Sequence, residues 1–191
     1  MTDIFSTKIY EVSMPEFESI KKSVVDQVLE LFEHEENFYV MLGSSKTSYN
    51  QVNGELNKCV DITEICNFVE KHAKIYWDEL DYNPALSPVI KNSWANICPK
   101  DGSLSSHNHA PFPISGAFYL NADESMGNLI FEHPLDQLMS HQPFTKDAVK
   151  RTYKKIVSTG TLFLFPGYLN HYVEKNFTDS VRLTIGFDIG V

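Results

Sequence analysis

The chain has 191 residues, 42% of them hydrophobic and 21% charged, with a formal net charge of −9. That length suits one domain spanning residues 1–191, with enough chain to bury a core. The acidic balance speaks against a broad nucleic-acid footprint, which needs a basic face, and no apolar run reaches the ~20 residues that span a bilayer.

The opening Met1-Thr2-Asp3-Ile4-Phe5 has no basic region followed by an apolar stretch, so no signal peptide is read there. Cys59, Cys66 and Cys98 match no Cys-x-x-Cys pattern and read as reduced core or incidental thiols of a cytoplasmic protein. Residues 3–11 read as an opening strand. A helix follows: Ser13 can cap it, Pro15 is tolerated in its first turn, and Phe17, Ile20, Val24, Val28 and Leu31 recur at helical spacing. Residues 38–42 form a short apolar strand, and 43–58, rich in Gly, Ser, Asn and Lys, read as loop. A second helix is predicted over 62–80, with Asp61 and Glu64 spaced as a capping box and an apolar stripe of Ile62, Ile65, Val69, Tyr76 and Leu80. Both helices are expected to support a sheet, making residues 1–88 a helical buttress with flanking strands.

From Pro84 onward β-type segments dominate. Strands are predicted at 89–98, 114–121, 127–132, 160–166, 170–175 and 181–189, separated by turns such as Pro99-Lys100-Asp101-Gly102 and Pro166-Gly167. Many short strands at this spacing point to a sandwich or barrel over 89–191. Residues 134–155 are polar and carry two prolines. They read as an insertion near the barrel mouth, a lid with a short helix at 145–155.

The chemistry centres on His107-Asn108-His109. Two histidines two apart in an extended segment project from one strand face, their side chains roughly 6–7 Å apart, close enough to grip one ion. His171 follows an apolar strand that ends in Pro166-Gly167, a position from which it can point back into a barrel. Three such ligands form one face of an octahedron and leave three neighbouring positions open, the plan of non-haem Fe(II) oxygenases, which usually combine two histidines with one carboxylate. Arg182 and Thr184 share one face of an alternating strand, and Val181, Leu183 and Ile185 share the other. An arginine facing a barrel interior needs an anion, and a carboxylate suits its fork. Alternation alone does not say which face is inside. Among the remaining histidines, His34 and His72 read as surface residues of helices, His133 as a turn residue and His141 as part of the insertion. Trp94 and Tyr119 read as core aromatics, with Tyr119 also a candidate hydrogen-bond donor to a co-substrate.

In that order and spacing the residues resemble the Fe(II)/2-oxoglutarate-dependent oxygenase superfamily, whose core is a double-stranded β-helix, a jelly roll of the cupin-like kind. The resemblance covers residues 92–189. Asn92 to Cys98 looks like the strand leading to the metal motif, with Asn96 eleven residues before His107, where some branches bind 2-oxoglutarate. His107-Asn-His109 stands at the family's His-x-Asp/Glu. Gly160 to His171 resembles the segment delivering the distal histidine. Arg182-Leu-Thr184, eleven residues on, stands where the family has Arg-x-Ser/Thr for the far carboxylate of 2-oxoglutarate. The whole chain looks like a group of such oxygenases from phages and marine bacteria that carries His-x-His. For a phage protein the cytoplasm would be the host's.

The resemblance implies a mainly β fold with supporting helices, iron held by His107, His109 and His171, and 2-oxoglutarate bound by Arg182, Thr184, Asn96 and Tyr119. It further implies O2-dependent hydroxylation of a small molecule or peptide side chain. Independently of the resemblance, the acidic balance argues against a nucleic-acid partner, the lack of a spanning apolar run against a membrane partner, and a homodimer is the common default oligomer. Histidine at position 109 leaves the metal with charge +2 at its protein face rather than +1, which favours dianionic 2-oxoglutarate but donates less electron density. A halide or water in place of His109 stays open, as do Asp101, Asp123 and Glu132 as substitute carboxylates. The alternative is a cupin-like metal-binding protein or isomerase that does not use 2-oxoglutarate. Cupins usually follow the histidine pair with a glutamate, and Ala110 to Gly116 contain none.

Overall fold

The computed structural model describes residues 6–34, 39–40, 44–135 and 151–191. Strand β1 (Tyr10–Ser13) leads into helix α1 (Phe17–His34), followed by the two-residue strands β2 (Tyr39–Val40) and β3 (Lys46–Thr47) and helix α2 (Thr63–Glu79). The remaining strands are β4 (Val89–Cys98), β5 (Leu104–His107), β6 (Ile114–Asn121), β7 (Leu129–Glu132), β8 (Thr152–Lys155), β9 (Thr161–Pro166), β10 (His171–Val173) and β11 (Arg182–Gly190). They form a seven-stranded sheet in the order β1-β9-β6-β11-β4-β3-β2 and a four-stranded sheet in the order β5-β10-β7-β8, with antiparallel pairings in both.

The period-2 alternation of strands sorts side chains between two cores. On the outer face of the large sheet, Phe118, Leu120, Leu162, Leu164, Leu183, Ile185 and Phe187 bury against the helices through Phe17, Val24, Ile65 and Val69. On the inner face Tyr119, Phe163 and Phe165 meet Leu129 and Phe131 of the small sheet. The two sheets thus enclose an interior, with the helices outside it: the double-stranded β-helix with supporting helices expected from the sequence. Among the described residues no helix is long and apolar enough to cross a membrane.

Several local expectations change. Ser13 is not the cap of α1: it is the last residue of β1, paired with Thr161. Asp61 accepts from the Thr63 N–H at 3.3 Å, but its own N–H goes to Gln27 Oε1 at 3.0 Å rather than back to Glu64. His72 is buried, not on the surface. Its Nδ1 lies 2.9 Å from the Tyr10 hydroxyl, and Phe68 packs on its ring. The helix expected at 145–155 gives way to strand β8 over its last residues, as an exposed, lysine-bearing sheet edge. His141 and most of the supposed lid lie outside the described residues.

Candidate functional site

Strand β10 places the backbone of His171 directly opposite His107 of β5. His109 lies two residues past the end of β5, so one strand face does not present both members of the pair. Instead the loop after β5 is tied down: the His109 N–H donates to Gly167 O at 2.7 Å, and the Phe112 N–H to His109 O at 3.0 Å. Gly167 is required for this approach, since a Cβ there would stand 2.0 Å from Phe112 O. Asn108 and Asn170, each beside a histidine, join the same segments through a 2.8 Å side-chain hydrogen bond.

The three imidazoles meet. One ring nitrogen of each lies within 4.8 Å of the others. Their ring centroids are 4.4 Å apart for His107 and His171, 5.0 Å for His107 and His109, and 5.2 Å for His109 and His171. His107 Nδ1 is 2.9 Å from Ser105 O and His171 Nδ1 is 3.0 Å from Leu169 O. A carbonyl only accepts, so both Nδ1 atoms carry the proton, and each Nε2 keeps its lone pair for a ligand bond. This outer support is the usual arrangement behind a metal-bound histidine. The donor set suits a divalent first-row metal, for which imidazole nitrogen is a common ligand. The substitute carboxylates are engaged elsewhere: Asp101 pairs with Lys175, Asp123 caps Ser125, and Glu132 accepts from Ser106.

Burial pushes the pKa of His171 well below the usual histidine value, with His107 adding repulsion, and burial likewise lowers that of His107. Both rings therefore stay neutral, the form that binds metal. A base whose pKa falls on folding binds fewer protons folded than unfolded, so its stability contribution is complete above the unfolded value near 6.5 and declines below it. The metal-free protein should thus show a melting temperature that falls as the pH is lowered from about 7 to about 5. In His171→Gln, which removes the titrating ring, that fall should be shallower. An equal slope in both proteins would show that His171 is not a source.

The histidines line one end of a cavity of about 490 Å³ that also receives Asn96, Cys98, Tyr119, Arg182 and Thr184. Strands β4 and β11 run antiparallel through its wall. Their cross-strand pairs Asn92–Asp188, Trp94–Gly186, Asn96–Thr184 and Cys98–Arg182 recur every second residue. The face of β11 carrying Arg182 and Thr184 is therefore the inner one. Gly186 leaves room for Trp94, because a Cβ would stand 2.4 Å from the indole. Trp94 in turn stacks on His109 at 5.5 Å, which places it at the site rather than only in the core.

Arg182 is 3% exposed. Its Nη1 donates to the carbonyls of Met126, Gly127 and Glu174, and its Nη2 to Cys98 Sγ at 3.1 Å. Cys98 thus lies beside a charged group of the cavity rather than only in the core. Among the described residues no carboxylate forms an ion pair with Arg182. Thr184 Oγ1 accepts from Asn96 Nδ2 at 3.4 Å, and buried Tyr119 is opposite Thr184 on β6, its phenol pushed up by desolvation. His133 lines a separate pocket, with its Nδ1 accepting from the Leu135 N–H.

One site residue escaped the sequence reading. Asp188, 3% exposed, points into the cavity wall with Oδ1 3.0 Å from His109 Nδ1, while its Oδ2 accepts from Asn92 Nδ2 at 2.9 Å. Counting by twos along β11 from Arg182 reaches it.

Comparison with known proteins agrees with this architecture. The epimerase SnoN from nogalamycin biosynthesis superposes with a TM-score of 0.64 at 12% identity, over 96% of this chain and 77% of its own. HygX from Streptomyces hygroscopicus, with nickel and 2-oxoglutarate bound, gives 0.57 at 12% identity over 96% and 83%. A prolyl hydroxylase from Trichoplax adhaerens, in complex with a hypoxia inducible factor peptide, gives 0.61 at 15% over 94% and 83%. At these identities the likeness establishes the fold. No match was found among curated protein sequences. Residues 92–188, just over half of the chain and containing all three histidines, Arg182 and Asp188, match the family described as "Putative 2OG-Fe(II) oxygenase". Family match and fold agree, and the chain belongs to this 2-oxoglutarate and iron(II) oxygenase family.

Proposed function

We propose that the protein is an iron(II)- and 2-oxoglutarate-dependent dioxygenase of the hydroxylase type, acting on a small molecule or a peptide side chain. In this reading His107, His109 and His171 hold the metal, while Arg182, Thr184, Asn96 and Tyr119 hold the co-substrate. The observation that carries it is the cavity itself, which joins three converging imidazoles to a buried guanidinium that has no carboxylate partner among the described residues. A buried, unpaired positive charge is costly, and a dicarboxylate reaching from the histidines to Arg182 would answer it.

Bound together, iron(II) and 2-oxoglutarate supply the power to activate O2, with succinate and carbon dioxide as co-products. The chain's own residues set the geometry. Two carbonyls and one carboxylate fix the imidazole orientations. Arg182 sets the distance of the co-substrate's far end. Leu129, Phe165 and Ala117 keep the wall apolar and dry. Tyr49, Asn50, Asn108 and Ala110 line the cavity yet are exposed, so the substrate enters between 49–50 and 108–110. The segment 44–58, expected to be loop but carrying the short strand β3, supplies one side of that entrance. One protein of this fold is named as an epimerase, and product mass separates the two outcomes: hydroxylation adds one oxygen atom, whereas epimerisation leaves the mass unchanged.

The test is spectroscopic. Anaerobic protein with iron(II) should develop a weak visible charge-transfer band on addition of 2-oxoglutarate, and O2 with a substrate pool should then release succinate. A cupin-like metal protein or isomerase would bind iron without the band, and that result would overturn the assignment.

A further inference from the structure

We propose that Asp188 is a positioning residue that supplies the metal centre, through His109, with the negative charge a ligand carboxylate would supply directly. This rests on the three-histidine reading of the site and deepens it. Histidine stands at 109 where the wider superfamily that this chain resembles usually has a carboxylate, and the structure places a buried carboxylate immediately behind that histidine. Asp188 Oδ2 is held by Asn92. Oδ1 is fully buried and receives no aligned hydrogen bond, and its polar neighbour is His109 Nδ1 at 3.0 Å. Among the described residues this is the one ion pair Asp188 makes.

A buried carboxylate oxygen without a donor is costly. A proton on His109 Nδ1 satisfies it and at the same time leaves Nε2 free for the metal. Trp94, stacked on one face of the ring, and His171, stacked at 5.2 Å, hold the imidazole plane while Asp188 fixes its edge. The ring thus becomes a stronger electron donor than an isolated imidazole, and the charge lost by substitution at 109 returns one residue further from the metal. Carboxylates placed behind metal-bound histidines act this way, and removing such a partner costs about 10–100-fold in metal affinity.

The experiment uses Asp188→Asn, which keeps the shape and removes the charge. Cobalt(II) affinity, measured by chelator competition, should fall by about 10–100-fold, and the anaerobic iron(II)–2-oxoglutarate band should move to shorter wavelength because the metal is poorer in electrons. The effect should shrink to within a few-fold in a His109→Asp background, because the residue at 109 then carries its own charge and has no ring Nδ1 for Asp188 to hold. A purely structural Asp188 would weaken both backgrounds alike, and that outcome, or unchanged affinity and band in Asp188→Asn, overturns the proposal. If Asp188→Asn does not fold, Asn92→Ser frees Oδ2 while keeping the charge. A several-fold weaker cobalt affinity is then expected, and no change overturns the proposal. Failure of the wild-type protein to bind cobalt would instead count against the three-histidine centre itself.

Discussion

Replacing His171 with alanine is expected to abolish iron retention. Of the three imidazoles it is the most deeply placed, 5% exposed, with Phe165 edge-on at 4.6 Å and Phe131 at 6.1 Å. That packing denies water a path to fill the missing position from the protein side, so the truncated site offers two donors where it had three. A hydrogen-bonding partner behind a ligand is worth about 10–100-fold. Loss of a ligand itself should exceed that, on the order of 4 kcal/mol or a thousandfold in metal dissociation constant. Metal content after anaerobic reconstitution and desalting checks this, with circular dichroism confirming the fold. His171→Gln, which fills more of the space, should behave the same way toward metal with a smaller loss of melting temperature. Unchanged iron content in both variants would remove His171 from the centre.

What the sequence made legible follows the strength of its periodic signals. Strands β4 and β6 fall at the predicted bounds because their alternation is long and their ends carry turn residues. Helix α2 lies within a residue of its predicted limits for the same reason. Strand β5 is four residues, Leu-Ser-Ser-His, and β8 is Thr-Tyr-Lys-Lys. Neither has apolar alternation to read, since β8 is an exposed edge and β5 is stabilised by pairing with β10. His72 was misplaced because helical spacing shows which residues share a face but not what packs on it. The tyrosine that satisfies it, Tyr10, is 62 positions away. The three histidines were legible as residue types at fixed spacing. Their support was not: Gly167 beneath His109, Gly186 beneath Trp94 and Asp188 behind His109 act through contacts between distant strands. Asp188 had a usable signal all the same. Once Arg182 faces inward, residues 184, 186 and 188 face inward too, and an acid at the end of that row comes up beside the metal motif.

Arg182→Met should raise the dissociation constant of 2-oxoglutarate by about a hundred- to a thousandfold while leaving metal affinity within a few-fold. The magnitude follows from truncating one member of a buried hydrogen-bonded charge pair, which costs roughly 2–5 kcal/mol. Arg182 has a second burden. Its Nη1 serves the carbonyls of Met126, Gly127 and Glu174, so methionine also strands these acceptors and should lower the melting temperature. Arg182→Lys separates the two roles. Lysine retains the charge but not the planar fork that reaches carbonyls and carboxylate together, so its 2-oxoglutarate affinity should lie between wild type and Arg182→Met. Titration of the anaerobic charge-transfer band gives the affinity, and thermal melting without ligand gives the structural cost. If both substitutions lower the melting temperature but neither weakens 2-oxoglutarate, the guanidinium is only a clamp on the 126–127 turn and the chain at Glu174. The far carboxylate would then be held elsewhere in the cavity, with Thr184 and Asn96 the next groups to replace.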